Sequence, residues 1–212
     1  LAAGYSEALG TGLYAVFRQQ PTLTVTATSP TAVYGASTPA GAGVGFTVAG
    51  LANGDLQATV LTQDPSFAIA GTPSGAGFYT VGSHAITPSA AANTFGYALA
   101  YVDGSLTVTP ASVSLTSPTA TSRAYDGTTV VTVSGTISGD YSAQGDAVSL
   151  ATSGSVSDKN VGSSKVVTFA LTGNDSTNYY LAQPGTAVDI TQKALTASLT
   201  AVDKVYDGST DA

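Results

Sequence analysis

Apolar and polar residues alternate with a period of two through residues 23–28, 106–109, 113–116, 129–133 and 165–171. That pattern belongs to strands that bury one face and wet the other. Each run is rich in Val and Thr and is bounded by Gly, Pro, Asn or Asp. The pairs Asn53-Gly54, Asp103-Gly104, Asp126-Gly127 and Asp207-Gly208 accept positive φ and predict tight reversals between strands. Helical periodicity is almost missing. A short helix is expected within residues 6–18, and a second helical turn within 50–60, where Leu51, Leu56 and Val60 are suitably spaced. The fold class that follows is all-β, built from small two-layer modules. Turn signals recurring every ~8–12 residues favour an immunoglobulin-like sandwich. A β-grasp-like arrangement, with its helix over 50–60, is the alternative.

The alternation repeats on a larger scale. Tyr125-Asp126-Gly127 returns as Tyr206-Asp207-Gly208, 81 residues later, each time about a dozen residues into a Thr- and Val-rich stretch. Residues 23–35 align without gaps on 195–207, sharing Leu-Thr at the start and Val-Tyr near the end, so that Tyr34-Gly35 falls on Tyr206-Asp207. Residues 97–110 align likewise on 179–192, matching Tyr97 with Tyr179, Leu99 with Leu181, Leu106 with Val188, and Val108 with Ile190. Openings and endings therefore mark modules. Residues 1–20 read as a linker or the tail of a preceding module, and 21–110 and 111–192 as two β-modules. Residues 193–212 then read as the start of a further one. Direct passage from one closing strand into the next opening strand predicts modules placed end to end.

Composition narrows what such modules do. With 24 Gly, 9 Pro and only 9% charged residues, the chain lies far below the roughly 25% charge of ordinary soluble domains. Twelve of its thirteen acids are Asp, which suits turns, while Glu7 stands alone. Cys is absent, so packed apolar faces must hold modules whose size leaves each marginal alone. The net charge of −7 and the six scattered basic residues give phosphate nothing to bind, which argues against nucleic acid and anionic membrane surfaces. No apolar run reaches the ~20 residues of a membrane span, and no signal peptide is visible at the start of the sequence.

Candidate chemistry is sparse. A Ser-His-Asp triad would have to use His84, the sole histidine, and no Gly-x-Ser-x-Gly elbow presents a nucleophile; His84 is read as a solvated strand or loop residue. The glycine clusters at 41–45 and 75–77 do not complete a phosphate-binding Gly-x-Gly-x-x-Gly and read as connectors. The Asp residues stand singly, so paired carboxylates for glycoside hydrolysis are not indicated. Calcium is the one cofactor weighed, with Asp103, Asp126 and Asp189 as ligands near module junctions, against Asp as a turn former. A Lys159–Asn160 cross-link assisted by Asp158 is disfavoured, because consecutive strand residues point in alternate directions. In Tyr125-Asp126-Gly127 and Tyr206-Asp207-Gly208, Gly is expected at positive φ, Asp capping nearby amides, and Tyr burying its ring. Tyr97, Tyr101, Tyr179 and Tyr180 are the residues that would stack on sugar rings if exposed, although Tyr179 and Tyr180 must face opposite sides of a strand.

These motifs carry a family resemblance. Residues 111–192 resemble the YDG repeat of large bacterial exoproteins, through Tyr125-Asp126-Gly127-Thr128-Thr129, Gly145-Asp146, Asp158-Lys159-Asn160-Val161-Gly162, Gly173-Asn174-Asp175 and Asn178-Tyr179-Tyr180-Leu181. Residues 21–110 resemble its companion, the MBG repeat of the Tyr-Gly type, through Val33-Tyr34-Gly35, Gly54-Asp55, Gly77-Phe78-Tyr79 and 104–109; Phe95 stands where Asn-Tyr is usual. The resemblance implies a non-catalytic stalk of a filamentous-haemagglutinin-like adhesin, secreted or held at the outer bacterial surface and often exported by two-partner secretion. Its partners would be neighbouring modules and, through the parent protein, polysaccharide or cell surfaces. The rival function is binding of matrix polysaccharide by exposed tyrosines.

Overall fold

The computed structural model describes residues 19–36, 43–52, 54–139 and 145–209. The helix expected within 6–18 lies outside them. The first module runs β1 (Thr22–Ala27), β2 (Thr31–Val33), β3 (Phe46–Ala49), α1 (Gln57–Val60), β4 (Leu61–Gln63), β5 (Ser66–Ile69), β6 (Gly82–Ser89), β7 (Ala92–Asn93), β8 (Ala98–Val102) and β9 (Gly104–Thr109). Pro110 alone separates it from the second: β10 (Ala111–Ala120), β11 (Arg123–Ala124), β12 (Val130–Ser138), β13 (Ser149–Leu150), β14 (Ser153–Val156), β15 (Gly162–Thr168), β16 (Leu171–Thr172), a 3-10 turn (Ser176–Asn178), β17 (Tyr179–Leu181) and β18 (Ala187–Thr191). The molecule is all-β. Its α1 is a single turn of four residues, too short to lie across a sheet as a β-grasp helix would.

The two modules share a strand plan that the sequence identities only hint at. In each, the opening strand breaks into two halves that serve different neighbours. The first half runs parallel to the penultimate strand, with Leu23 beside Leu99 and Val113 beside Leu181. The second half runs parallel to the last strand, with Val33 beside Thr109 and Ala124 beside Thr191. The antiparallel pairs β1–β3, β4–β7, β5–β6 and β6–β9 recur as β10–β12, β13–β16, β14–β15 and β15–β18. The register therefore makes Tyr34 equivalent to Tyr125, Tyr97 to Tyr179, and Gly82 to Gly162.

The break in the opening strand has a local cause in each module. In the first, Ser29-Pro30 interrupts the ladder, because proline lacks the donor a continuing strand needs. In the second, β10 bulges at Ser117, whose φ is 50°, and the break itself falls at Thr121-Ser122, where Thr121 N still donates to Thr132 O on β12 and Ser122 Oγ already accepts from Asp189 N on β18. Alternation then sends Leu23, Val25 and Ala27 inward from β1, and Val131 and Val133 from β12. Leu23, Val60 and Tyr97 form one small core, while a larger one runs from Ile86 and Leu106 through Tyr34 into Val113, Val167, Phe169 and Ile190.

Two expected elements differ. Asp103-Gly104 is not a hairpin turn: β8 and β9 belong to different sheets, and Gly104 does not take positive φ. Glycine is required there because a Cβ would stand 2.3 Å from the Thr28 carbonyl oxygen. The strand expected over 165–171 ends at Thr168. The Gln183 amide ends it, accepting from Phe169 N at 2.9 Å and donating to Phe169 O at 3.1 Å in place of a neighbouring strand.

Candidate functional site

The polar residues that the fold buries gather where the modules meet. Asp146 and Asn178 are 9% and 3% exposed. Asp146 follows Gly145, whose φ of 79° turns the chain into the corner before β13. A second glycine completes the corner: a Cβ on Gly173 would stand 2.2 Å from Ala147 O, so only glycine lets the 173–175 loop lie against it. Asp175 Oδ2 then accepts from Ala147 N at 2.8 Å, locking loop to corner.

Onto this corner come two tyrosines from different modules. Tyr179 donates its hydroxyl to Asp146 Oδ2 at 2.5 Å, and Tyr34, 112 residues earlier, donates to Asp146 Oδ1 at 3.1 Å. The Tyr34 hydroxyl also lies 2.9 Å from Ser74 Oγ. Its single proton goes to the carboxylate, which can only accept, leaving Ser74 to donate back. The Tyr34 and Tyr179 rings meet edge to face, 5.4 Å apart at 77°, and Phe78 packs on the other side of Tyr34 at 5.9 Å. Asn178 Oδ1 accepts from Val81 N at 3.0 Å, tying the loop before β6 to the second module. Burial first, and the Asp146 carboxylate next, push the Tyr179 phenol above its ordinary range; burial does the same to Tyr34. The arrangement holds two modules together.

A counterpart of the Asp146–Tyr179 pair lies within the first module. Asp55 follows Gly54, whose φ is 78°, and its Oδ2 accepts from the Tyr97 hydroxyl at 2.6 Å, while Ala52 N donates to that hydroxyl at 2.9 Å. Asp55 and Asp146 were not singled out as site residues in the sequence, although Gly-Asp occurs at the same place in both modules and was the signal available.

The Tyr-Asp-Gly motif is a turn with an ionic brace. Gly127 takes φ of 85°, and Asp126 Oδ1 accepts from Thr128 N and Thr128 Oγ1, both at 2.9 Å, and from Arg123 Nη1. Gly208, at 78°, follows Asp207, which accepts from Ser209 N at 2.9 Å and pairs with Lys204 at 3.0 Å. The backbone amide of Thr128 foremost, then its hydroxyl and Arg123, hold the Asp126 carboxyl below its ordinary range; the Ser209 amide foremost does so for Asp207. The basic residue two before each tyrosine was missed in the sequence, though both copies carry it. In Tyr34-Gly35, Gly35 takes φ of 77° and Ala36 N closes the turn onto Val33 O at 3.1 Å.

The tyrosines of the motif differ in environment. Tyr34 is 2% exposed, Tyr125 is half-buried and Tyr206 is 92% exposed. Of the tyrosines considered for sugar stacking, Tyr97 and Tyr179 are buried with their hydroxyls on Asp55 and Asp146. Tyr101 and Tyr180 are exposed, one on each module, and the Tyr101 hydroxyl accepts from Ala91 N at 3.0 Å. His84 is half-buried rather than solvated: its ring nitrogens face Ala70 O at 3.1 Å and Thr80 O at 2.7 Å, and its ring packs on Tyr79. Asp158 pairs with Lys165 at 2.7 Å, not with Lys159. Of the acids weighed for calcium, Asp126 is engaged as above and Asp189 accepts from Ser164 N at 2.8 Å. Among the described residues no three His, Cys, Asp or Glu side chains cluster as metal ligands.

Comparison with known families agrees with this duplicated plan. The family model of the MBG domain (YGX type) matches residues 23–107, and that of the YDG domain matches residues 109–187. No curated protein and no solved structure matches the chain.

Proposed function

Because this chain strings an MBG domain (YGX type) to a YDG domain in tandem, we propose that it is a spacer segment in the stalk of an exported bacterial surface protein, holding a distal adhesive head away from the cell. The observation that carries this reading is the joint. Tyr34 and Val81 at one end of the first module engage Asp146, Asn178 and Tyr179 of the second. Such a contact is heterologous, donor end to acceptor end, and contacts of that kind add units in one direction without closing. With only Pro110 between β9 and β10, the linker has no slack to let the modules drift apart. A rod whose length grows with copy number follows. Neither family is known for catalytic domains, and the buried polar groups are occupied in holding the joint.

Polysaccharide binding fits the structure less well. A stacking platform needs several exposed rings on one face, whereas Tyr97 and Tyr179 are inside and Tyr101 and Tyr180 lie on separate modules. Small-angle scattering tests the spacer reading: an elongated particle with the modules in line is expected, and a compact particle with the modules side by side would overturn it.

A further inference from the structure

Each module carries both halves of the joint, yet the halves meet only once. The acceptor half is the Gly-Asp corner with its own tyrosine, Asp55 with Tyr97 and Asp146 with Tyr179. The donor half is the tyrosine that ends the second part of the opening strand, together with the Val-Gly step that starts the sixth strand of the module. These are Tyr34 with Val81-Gly82, and Tyr125 with Val161-Gly162. The equivalence is fixed by register: Tyr34 N donates to Thr109 O and Tyr125 N to Thr191 O, both at 2.8 Å, while Gly82 pairs with Val108 and Gly162 with Ile190.

Where the donor half of the first module meets Asp146, Tyr34 is 2% exposed. At the far end of the second module the same side chains line an open cleft of ≈ 450 Å³, formed by Tyr125, Asn160, Val161, Gln192 and Lys193. Tyr125 is half-buried there, Val161 is 49% exposed, and no hydrogen bond is made by the Tyr125 hydroxyl among the described residues. The chain leaves this cleft as an unpaired segment whose Leu195, Leu199, Val205 and Tyr206 are each more than 90% exposed. A module continuing from Lys193 would therefore start beside the cleft, as the second module starts beside Tyr34.

We propose that the Tyr125 cleft is the seat of a third module continuing from Lys193, and that its occupant is a Gly-Asp corner. The carboxylate of that corner accepts from the Tyr125 hydroxyl, and an asparagine amide beside it accepts from Val161 N. The same rule gives Asp55 the acceptor role toward a module preceding this one. The inference rests on the spacer reading for its partner and adds the chemistry by which successive modules are held.

The test uses the chain with the residues after Gln192 replaced by a second copy of residues 111–192, in which Tyr125→Phe leaves a single Tyr125 to follow. Nitration by tetranitromethane, read peptide by peptide, reports access to that side chain, with exposed Tyr101 as the reference. Nitration of Tyr125 is expected to fall on the order of tenfold on extension, and to recover when the appended copy carries Asp146→Asn. Unchanged nitration on extension, or protection that survives the substitution, would overturn the proposal. Should Asp146→Asn unfold the appended module, Asn178→Ala in that copy is read in the same way. Scattering on the same samples separates the two ideas. A longer particle with unprotected Tyr125 defeats the joint and spares the spacer, and protected Tyr125 in a particle that does not lengthen does the reverse.

Discussion

The first and second modules run through the same nine strands, yet only the second closes its sheet. There β12 pairs with β14, placing Val131 beside Gly154, so that the strands run continuously from β11 round to β10, two pieces of one opening strand. In the first module β3 and β5 do not pair, and the seam between them is an open cleft lined by Val44, Phe46, Pro65 and Phe67. The rings of Phe46 and Phe67 stand 6.4 Å apart across it. Register supplies the reason. Ile69 pairs with buried Ile86 and Val156 with buried Val167, which puts Phe67 at the place of Gly154. A Cβ on Gly154 would stand 2.7 Å from Thr168 O and 2.9 Å from Val133 Cγ1. Where the residue is glycine the sheet closes, and where it is phenylalanine side chains fill the seam. One strand plan thus tolerates two seams, while the Gly-Asp corner and its tyrosine are kept in both.

That contrast can be broken at chosen pairs of equivalent residues. The largest effect is expected at the carboxylates. Asp146→Ala removes the acceptor that the Tyr34 and Tyr179 hydroxyls share, two charge-assisted hydrogen bonds at once, and should cost about 3–5 kcal/mol. Asp55→Ala leaves Tyr97 still accepting from Ala52 N and should cost about 1–2 kcal/mol. Denaturant melts of the full chain read both, and equal losses would show that the joint adds nothing to the pair. Next comes the seam. Gly154→Ala should cost about 1–3 kcal/mol by forcing apart backbone and Val133, whereas Phe67→Ala, on an edge already open, should cost less. Hydrogen exchange at the β12 and β14 amides would show whether the seam opens.

Smaller still is the motif turn. Gly127→Ala places a Cβ at φ of 85° and should cost about 1–2 kcal/mol, while Gly208→Ala, in a segment whose residues are exposed, should leave the melt unchanged. The gentlest probe is pH. Tyr34 and Tyr179 have phenols raised above 10.0 in the folded state. Their stabilising contribution is therefore complete below about pH 10 and is lost as the pH rises through the folded values. Asp126 runs the other way: its carboxyl is held below 3.8, so its contribution is present above that value and lost as pH falls through the lowered one. Ultraviolet titration of the phenols should show late-ionising tyrosines, and Asp146→Ala should bring their ionisation down only in part, because burial still raises it.

Much of this was legible in the chain because its signals are local. Alternation in 23–28 and 106–109 gave strands, since one face of each is buried wherever the strand lies. Asp126-Gly127 gave a turn, since an Asp side chain reaches only the amides next to it and glycine alone takes φ of 85° without strain. That turn forms in the same way around Gly208, in a segment that is exposed throughout. The tyrosines that open and close each module marked its ends, and the family of each module followed from its motifs.

What the chain could not declare depends on residues brought together from afar. Tyr34 and Asp146 lie 112 positions apart, and no period links them; only the contact between two folded modules buries one against the other. Tyr125 holds the same register position as Tyr34 and has a different exposure, because burial is supplied by a neighbour and not by the residue itself. Gly104 reads as a turn glycine and serves as a gap for the Thr28 carbonyl, since close approach between sheets leaves no local trace. Strands, turns and repeat are set by residues close along the chain; which carboxylate is shared, which seam closes and which tyrosine is buried depend on distances between remote segments, which chain order does not encode.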